Sequence, residues 1–366
     1  MGGKKLRVVV LFGGRSGEHE ISLMSAESVI SSLDRGRYEV VPVGITKEGR
    51  WIAGLAPAEL GGGGGKEGGV PVAILPDPSR KGLFRLDRGP AEPYLDGIDV
   101  VFPVLHGTYG EDGTLQGLLE LANVPYVGAG VLASSLGMDK VFMKTAFAQA
   151  GLPQARFWSF LRGEWERRPG QIVAEIERRF GYPCFVKPAN LGSSVGISKA
   201  RNRQGLEEAV ALAVRYDRKV IVEEFVWARE VEVSVLGNEE PVASLPGEIV
   251  PRREFYDYEA KYVDGNAELI VPAQLPPDVV DVLQDYAVRA FRAVDCAGMA
   301  RVDFFLTRDE GRVLVNEINT IPGFTPFSMY PKLWEVSGLS YPQLLDRLIE
   351  LALERHREKN RTLYGR

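Results

Sequence analysis

Cysteine and histidine are scarce in this chain, with two and three residues among 366. Cys184 and Cys296 are too few for a disulfide framework or a cysteine-based zinc site. Their apolar surroundings, YPCFVKP and AVDCAGMA, predict small buried hydrophobes in a reducing compartment. No apolar run approaches the roughly 18 residues that a membrane helix needs. The start, MGGKKLRVVVLFGG, carries lysines and a short apolar run, but Arg15 and Glu18 follow and no small-residue cleavage site appears. It is expected to be a buried first strand, and the protein to be cytoplasmic. Positive charge is not in excess: 44 Lys and Arg stand against 49 Asp and Glu, a net charge of −5. Without a basic stripe, neither nucleic acid nor a membrane is an expected partner.

What is present fits an ordinary globular chain. Hydrophobic residues make up 45% and charged residues 25%, enough to bury a sizeable core, and at about 150 residues per domain the length suggests two or three domains. Leu6–Phe12 reads as a continuous apolar strand, Ile21–Leu33 as a helix, Tyr38–Ile45 and Val100–Val104 as further strands. This order argues for a doubly wound parallel α/β unit. Glycines at 61–65 and 68–69 interrupt it and read as a surface insertion. Further along come a helix at 114–122, a strand at 125–127, and helices at 138–150 and 171–180. A strand–loop–strand–helix–strand series covers 184–223, and longer helices are expected near 277–294 and 341–359. The polar, Tyr-rich segment 247–267 lacks a clear period, and a connection of that length is usually functional. The expected division is 1–128, 129–222 and 223–366.

Three motifs fail on inspection. Gly61–Lys66 resembles a phosphate-binding P-loop, but Leu60 and Glu67 break the pattern. Gly128, Gly130 and Ala133 match a dinucleotide turn without the acidic residue that should follow. Gly192–Gly196 fits a nucleophile elbow around Ser194, yet a strand rather than a helix is expected next.

Other groupings carry chemistry. Lys187 ends a strand at FVKPANLGSSVG, and the following Gly and Ser residues can bring backbone N–H and hydroxyl donors to an anion. In Arg301-Val302-Asp303-Phe304 and Glu317-Ile318-Asn319 charged or amide residues alternate with apolar ones. On strands, Arg301 and Asp303 share one face, as do Glu317 and Asn319. If the strands pair, hard oxygen ligands for Mg²⁺ converge beside a guanidinium suited to phosphoryl or oxyanion charge. Gly107, Gly110 and Gly113 punctuate a loop after a buried strand, where His106 could orient a substrate.

At these residues the chain resembles the ATP-grasp ligases and, within them, the D-alanine–D-alanine ligases. The resemblance rests on GGRSGEHEISL, LHGTYGEDGTLQG, MDK, FVKPANLGSSVGIS, EFYDYEAKY, ARVDFFL and VNEINTIPGFTPFSM, in the family's order along nearly the whole chain. It implies a three-domain ATP-grasp architecture: an N-terminal parallel sheet followed by central and C-terminal α+β domains, with ATP between these two. It also implies a homodimer that uses ATP and two Mg²⁺ or Mn²⁺ ions to join two D-alanines for peptidoglycan synthesis. Asp303, Glu317 and Asn319 would hold the metal. Lys140, Lys187 and Lys261 would meet the ATP phosphates; Glu223, Phe225 and Val226 the adenine; Glu230 the ribose. Glu18 would receive the first D-alanine's ammonium, with His106 nearby, and Glu18, Ser193 and Tyr262 would latch the 247–267 loop over the site. Arg301 and the Gly323 backbone would stabilise the oxyanion, and Ser328 with Met329 would take the second substrate's carboxylate. Glu224 departs from the family, which often has lysine there, and the Gly-rich insertion has no expected counterpart. Alternatives are a ligase with D-lactate or D-serine as acceptor, and a silent nucleotide-binding protein.

Overall fold

The first sheet is built from β1 (Leu6–Gly13), β2 (Tyr38–Ile45), β3 (Trp51–Ala53), β4 (Val70–Ile74), β5 (Gly82–Arg85), β6 (Pro93–Asp96) and β7 (Val100–Pro103). In β1, alternate residues enter different cores: Val8, Val10 and Phe12 one, Val9 and Leu11 the other. Both faces are covered, which is why the run is apolar without a break. The computed structural model describes residues 4–61, 68–88, 92–192, 195–251 and 267–363. Strand order is β6-β5-β4-β3-β2-β1-β7. The expected parallel centre is β2-β1-β7; β3 to β6 extend it as an antiparallel wing that sequence periodicity did not reveal. These strands are three to five residues long, too short for a period to stand out. The strand expected at 125–127 reduces to one parallel bridge, Val101 to Tyr126.

Helices α1 (His19–Ser32), α2 (Pro57–Gly61) and α3 (Thr114–Leu121) follow in the same unit. Ala26 and Val29 of α1 pack beneath one face of β1, Leu115 and Leu119 of α3 beneath the other. The helix expected over 138–150 is α5 (Lys140–Gln149), and a further helix, α4 (Val131–Met138), precedes it where none was expected. Asp139 separates them: its backbone is extended, and its carboxylate caps α5 by accepting from the N–H groups of Val141 and Phe142.

The second sheet, β8 (Phe157–Leu161), β9 (Cys184–Pro188), β10 (Ser198–Ala200) and β11 (Lys219–Glu224), is antiparallel in the order β10-β9-β11-β8. With α6 (Arg162–Arg167), α7 (Pro169–Arg179) and α8 (Arg203–Tyr216) it closes a core of its own, in which Val186 and Val222 meet Ile176 and Val210. The third comprises β12 (Ala228–Gly237), β13 (Val242–Ala243), β14 (Gly247–Pro251), β15 (Ala267–Ile270), β16 (Gly298–Thr307) and β17 (Val313–Asn319). Its order is β15-β14-β12-β16-β17, with β13 on β12. Val302 and Phe304 of β16 bury against Leu283, Ala287 and Phe291 of α9 (Pro277–Ala293) and against Met143 and Phe147 of α5. After α10 (Met329–Val336), the last helix, α11 (Tyr341–Lys359), returns to the first sheet, where Leu344, Leu345 and Leu348 share a core with Val8, Val10 and Phe12. Cys184 and Cys296 are buried free thiols, as expected. Among the described residues no helix is long and apolar enough to cross a membrane.

Candidate active site

The loops that follow β1, β7, β9 and β17 meet around one cleft, lined among others by Glu18, His106, Lys140, Gly192, Arg301, Glu317, Asn319 and Gly323. Glu18 stands at the start of α1. A Cβ added to either Gly107 or Gly192 would come within 2.7 Å of its Oε2 atom, so two glycines from loops of different sheets leave room for this carboxylate. Gly107 also has φ +77°, a backbone that favours glycine. His106 is buried, with Nδ1 3.1 Å from the Ile321 carbonyl oxygen and Nε2 3.2 Å from Ser25 Oγ. Burial lowers its pKa, more than Glu18 raises it, which favours the neutral ring. Glu111 accepts from the N–H of Gly107 (2.6 Å) and of Ile321 (3.2 Å). Burial, and then the charge of Glu18, push its carboxyl up to about 8.

On the opposite wall β16 and β17 pair as the alternation requires, Arg301 across from Asn319 and Asp303 across from Glu317. Arg301 grips Asp303 through two bonds of 2.7 Å, and its Nε is 3.1 Å from Glu232 on β12. Asn319 Nδ2 donates to Asp303 at 3.1 Å. Lys140 donates to the Leu191 carbonyl at 2.8 Å and lies 3.9 Å from Glu317. Two carboxylates and an amide oxygen on one face are the hard donors that Mg²⁺ or Mn²⁺ prefers, so the residues fit a divalent ion. Among the described residues no three His, Cys, Asp or Glu side chains gather to hold a metal.

Deeper in, Lys187 at the end of β9 donates to Glu223 of β11 at 2.7 Å, and Lys144 approaches the same carboxylate at 3.2 Å. Burial opposes the Glu223 charge, but the two ammonium groups outweigh it and hold the carboxyl down at about 2. Burial lowers the Lys144 pKa; for Lys187, Glu223, Glu317 and Glu230 overcome burial and raise it. Phe225 stacks on Phe185 at 6.2 Å, with the Lys199 ammonium 4.0 Å from the Phe225 ring centre. Val226 and Glu230 are half-buried. Glu224, the unusual residue of this segment, accepts from the Arg156 backbone at 2.8 Å and pairs with its guanidinium. At the far end of the cleft Ser328 Oγ accepts from Thr325 N–H at 3.0 Å and crowds Gly323, where a Cβ would come within 2.6 Å. The Met329 side chain packs with Ile249 and Leu333.

Ser193, Lys261 and Tyr262 lie outside the described residues. Sequence reasoning missed Glu111, Lys144 and Glu232. Lys144 is one helical turn beyond Lys140 and Glu232 shares a strand face with Glu230, spacings that were readable signals; Glu111 sits among the turn residues of the LHGTYGEDG loop, where nothing in the sequence set it apart.

Comparisons with known proteins agree with this geometry. Residues 7–129 match the family model described as the D-ala D-ala ligase N-terminus, and 146–350 the one for its C-terminus. A curated D-alanine–D-alanine ligase of Natranaerobius thermophilus is 56% identical over 98% of both chains. One from Heliobacterium modesticaldum is 54% identical over 98% of this chain and 97% of that protein. Among solved structures, the D-alanine–D-alanine ligase of Coxiella burnetii superposes with a TM-score of 0.85 at 39% identity, covering 98% of this chain and 97% of that one. The VanG D-Ala:D-Ser ligase of Enterococcus faecalis also reaches 0.85, at 36% identity, over 95% of this chain and 100% of that one. The fold is the expected ATP-grasp architecture. Since both models match and more than half of the residues are shared with a full-length relative, the chain belongs to the D-alanine–D-alanine ligase family.

Proposed function

We propose that this chain is an ADP-forming ligase that joins two D-alanines through a D-alanyl phosphate. It would act in the cytoplasm as a homodimer of three-domain subunits, divided near residues 128 and 222, and supply the dipeptide for peptidoglycan precursors. One observation carries the reading: an acid for an ammonium (Glu18), a cation for an oxyanion (Arg301), a phosphate-seeking lysine (Lys140) and a hard-oxygen face (Asp303, Glu317, Asn319) bound the same cleft or its wall.

A carboxylate is a poor electrophile at neutral pH. Its oxygen first attacks the γ-phosphorus of ATP, the bridging oxygen leaves with ADP, and the acyl phosphate carries a good leaving group. The amine of the second D-alanine then attacks the carbonyl carbon, the tetrahedral oxyanion collapses, phosphate departs, and the amine loses a proton. The protein contributes positioning and charge stabilisation. Lys140 and Lys187 orient the phosphates, joined by Lys261; Glu223, Phe225 and Val226 hold the base and Glu230 the ribose. Glu18, with His106 near it, binds the first ammonium. Arg301 and the Gly323 N–H take the oxyanion charge, and Ser328 with the Met329 backbone receives the second carboxylate. Ser193 and Tyr262 complete a hydrogen-bonded wall with Glu18. Two Mg²⁺ or Mn²⁺ ions on Asp303, Glu317 and Asn319 would supply neutralisation of phosphoryl charge.

The test is phosphate release from ATP with D-alanine, D-lactate and D-serine as competing acceptors at neutral pH, followed by product analysis. D-alanyl-D-alanine is expected to dominate: over D-lactate because an amine is a stronger nucleophile than a hydroxyl, and over D-serine, which carries the same amine, because relatives at 54–56% identity are named D-alanine–D-alanine ligases. No D-alanine-dependent release would overturn the ligase reading, and mostly ester or D-serine product would overturn the acceptor assignment.

A further inference from the structure

At the Glu18 end of the cleft, loops from the two ends of the chain are tied together by three side chains, two of which have no part in the reaction above. Ile321 is gripped on both sides: its N–H donates to Glu111 (3.2 Å), and its carbonyl lies 3.1 Å from His106 Nδ1. A neutral imidazole that donates through Nδ1 must accept at Nε2, and Ser25 Oγ stands 3.2 Å from that nitrogen. Ser25 Oγ in turn accepts from the Phe324 N–H at 3.3 Å. Donors and acceptors therefore alternate consistently from Phe324 through Ser25 and His106 to Ile321. Gly323 lies between the two gripped residues. The second carboxylate oxygen of Glu111 accepts from Gly107, the same glycine against which Glu18 rests.

We propose that Glu111 and Ser25 are positioning residues that fix the Gly323 backbone relative to Glu18, setting the distance between the two ends of the first substrate's binding site. The assignment rests on the ligase reading, which gives Glu18 the ammonium and Gly323 the developing oxyanion. Both Glu111 oxygens are engaged by backbone N–H groups, so Glu111 acts through the loops it holds. Glu111→Gln keeps the size but turns one acceptor into a donor facing an N–H; Ser25→Ala removes the Phe324 acceptor and releases His106 Nε2.

The experiment is steady-state ADP formation by the full chain, with KM for the donor D-alanine and KM for ATP measured separately in wild type, Glu111→Gln, Ser25→Ala and the double variant. A displaced reacting group costs about 10- to 100-fold, so each single variant is expected to lose at least about tenfold in kcat/KM for the donor D-alanine, with KM for ATP unchanged. Because both residues hold the segment 321–324, the double variant should lose less than the product of the single losses. Wild-type kinetics in Glu111→Gln, equal losses toward ATP and D-alanine, or fully multiplicative losses would each overturn the proposal. Should Glu111→Gln fail to fold, Ser25→Ala alone decides by the same split between D-alanine and ATP. A wild type without D-alanine-dependent turnover would refute the ligase reading itself, which is a separate result.

Discussion

Glu223→Gln tests the buried charge cluster beneath the phosphate-side lysines. Glu223 is 2% exposed and is flanked by Lys187 at 2.7 Å and Lys144 at 3.2 Å. The two ammonium groups hold its carboxyl at about 2 instead of the ordinary 4.5. At ~1.4 kcal/mol per pH decade, that difference corresponds to about 3 kcal/mol of stability at neutral pH. Solvent screening does not reduce it, since the carboxylate is enclosed by protein. Gln keeps the shape but leaves the two lysines without this anion, so the variant should lose about 3 kcal/mol. The sign in pH follows. A carboxyl whose pKa is lowered by folding stabilises fully above about 4.5, and the contribution disappears as the pH falls toward about 2. Urea unfolding followed by far-UV circular dichroism at pH 7, 5 and 4 measures both effects. The wild type should begin to lose stability below about pH 4.5, and the variant should lack that component of the decline. A variant within about 0.5 kcal/mol of wild type at pH 7, the range of an ordinary surface change, would refute the cluster's stabilising role.

Glu317→Gln should abolish ligation with the fold intact, and excess chelator should do the same; undiminished turnover in either would count against a divalent ion at this face. Arg301→Ala should lower turnover by about 10²–10³, the typical cost of removing an oxyanion donor, and near wild-type kcat would exclude that role. Gly192→Ala should leave unfolding unchanged yet raise KM for the donor D-alanine, because the new Cβ would stand 2.7 Å from Glu18 Oε2 and the flexible carboxylate must turn away; an unaltered KM would show that the carboxylate's position there does not matter.

The parts of the molecule that could be read from sequence were those written in short periods. β1 announced itself by unbroken apolar residues, and β16 by the alternation of Arg301 and Asp303 with Val302 and Phe304, while its pairing with β17 was only a condition of the reading. A period of two is a direct imprint of a strand with one polar and one apolar face. The wing β3 to β6 was lost because three to five residues leave no period to detect. Asp139 was passed over because helical spacing continues through it, and only the cap it makes marks the break. The role suggested for Glu223 came from family likeness, that of Lys187 also from the Gly- and Ser-rich loop that follows it; their pairing with Lys144 depends on contacts between residues far apart in the chain, where one buried lysine reads like any exposed one. Glu111 was hidden for another reason. Gly-Glu-Asp-Gly looks like a solvated turn until the Ile321 backbone is seen to lie against it.

The return of α11 to the first sheet bears on how the chain is made. Leu344, Leu345 and Leu348 belong to the apolar layer that contains Val8, Val10 and Phe12, and the Tyr38 hydroxyl donates to Asp346 at 2.7 Å. A ribosome that has delivered only the first two sheets has delivered β1 with one of its faces still lacking this cover. The opening strand must wait for nearly the whole of translation before that layer closes. Meanwhile the second sheet, whose core is drawn from residues 158 to 222, can close early on its own. Completion of the N-terminal unit is thus timed by the C-terminal end, and a prematurely stopped chain would expose the apolar face that marks it for degradation.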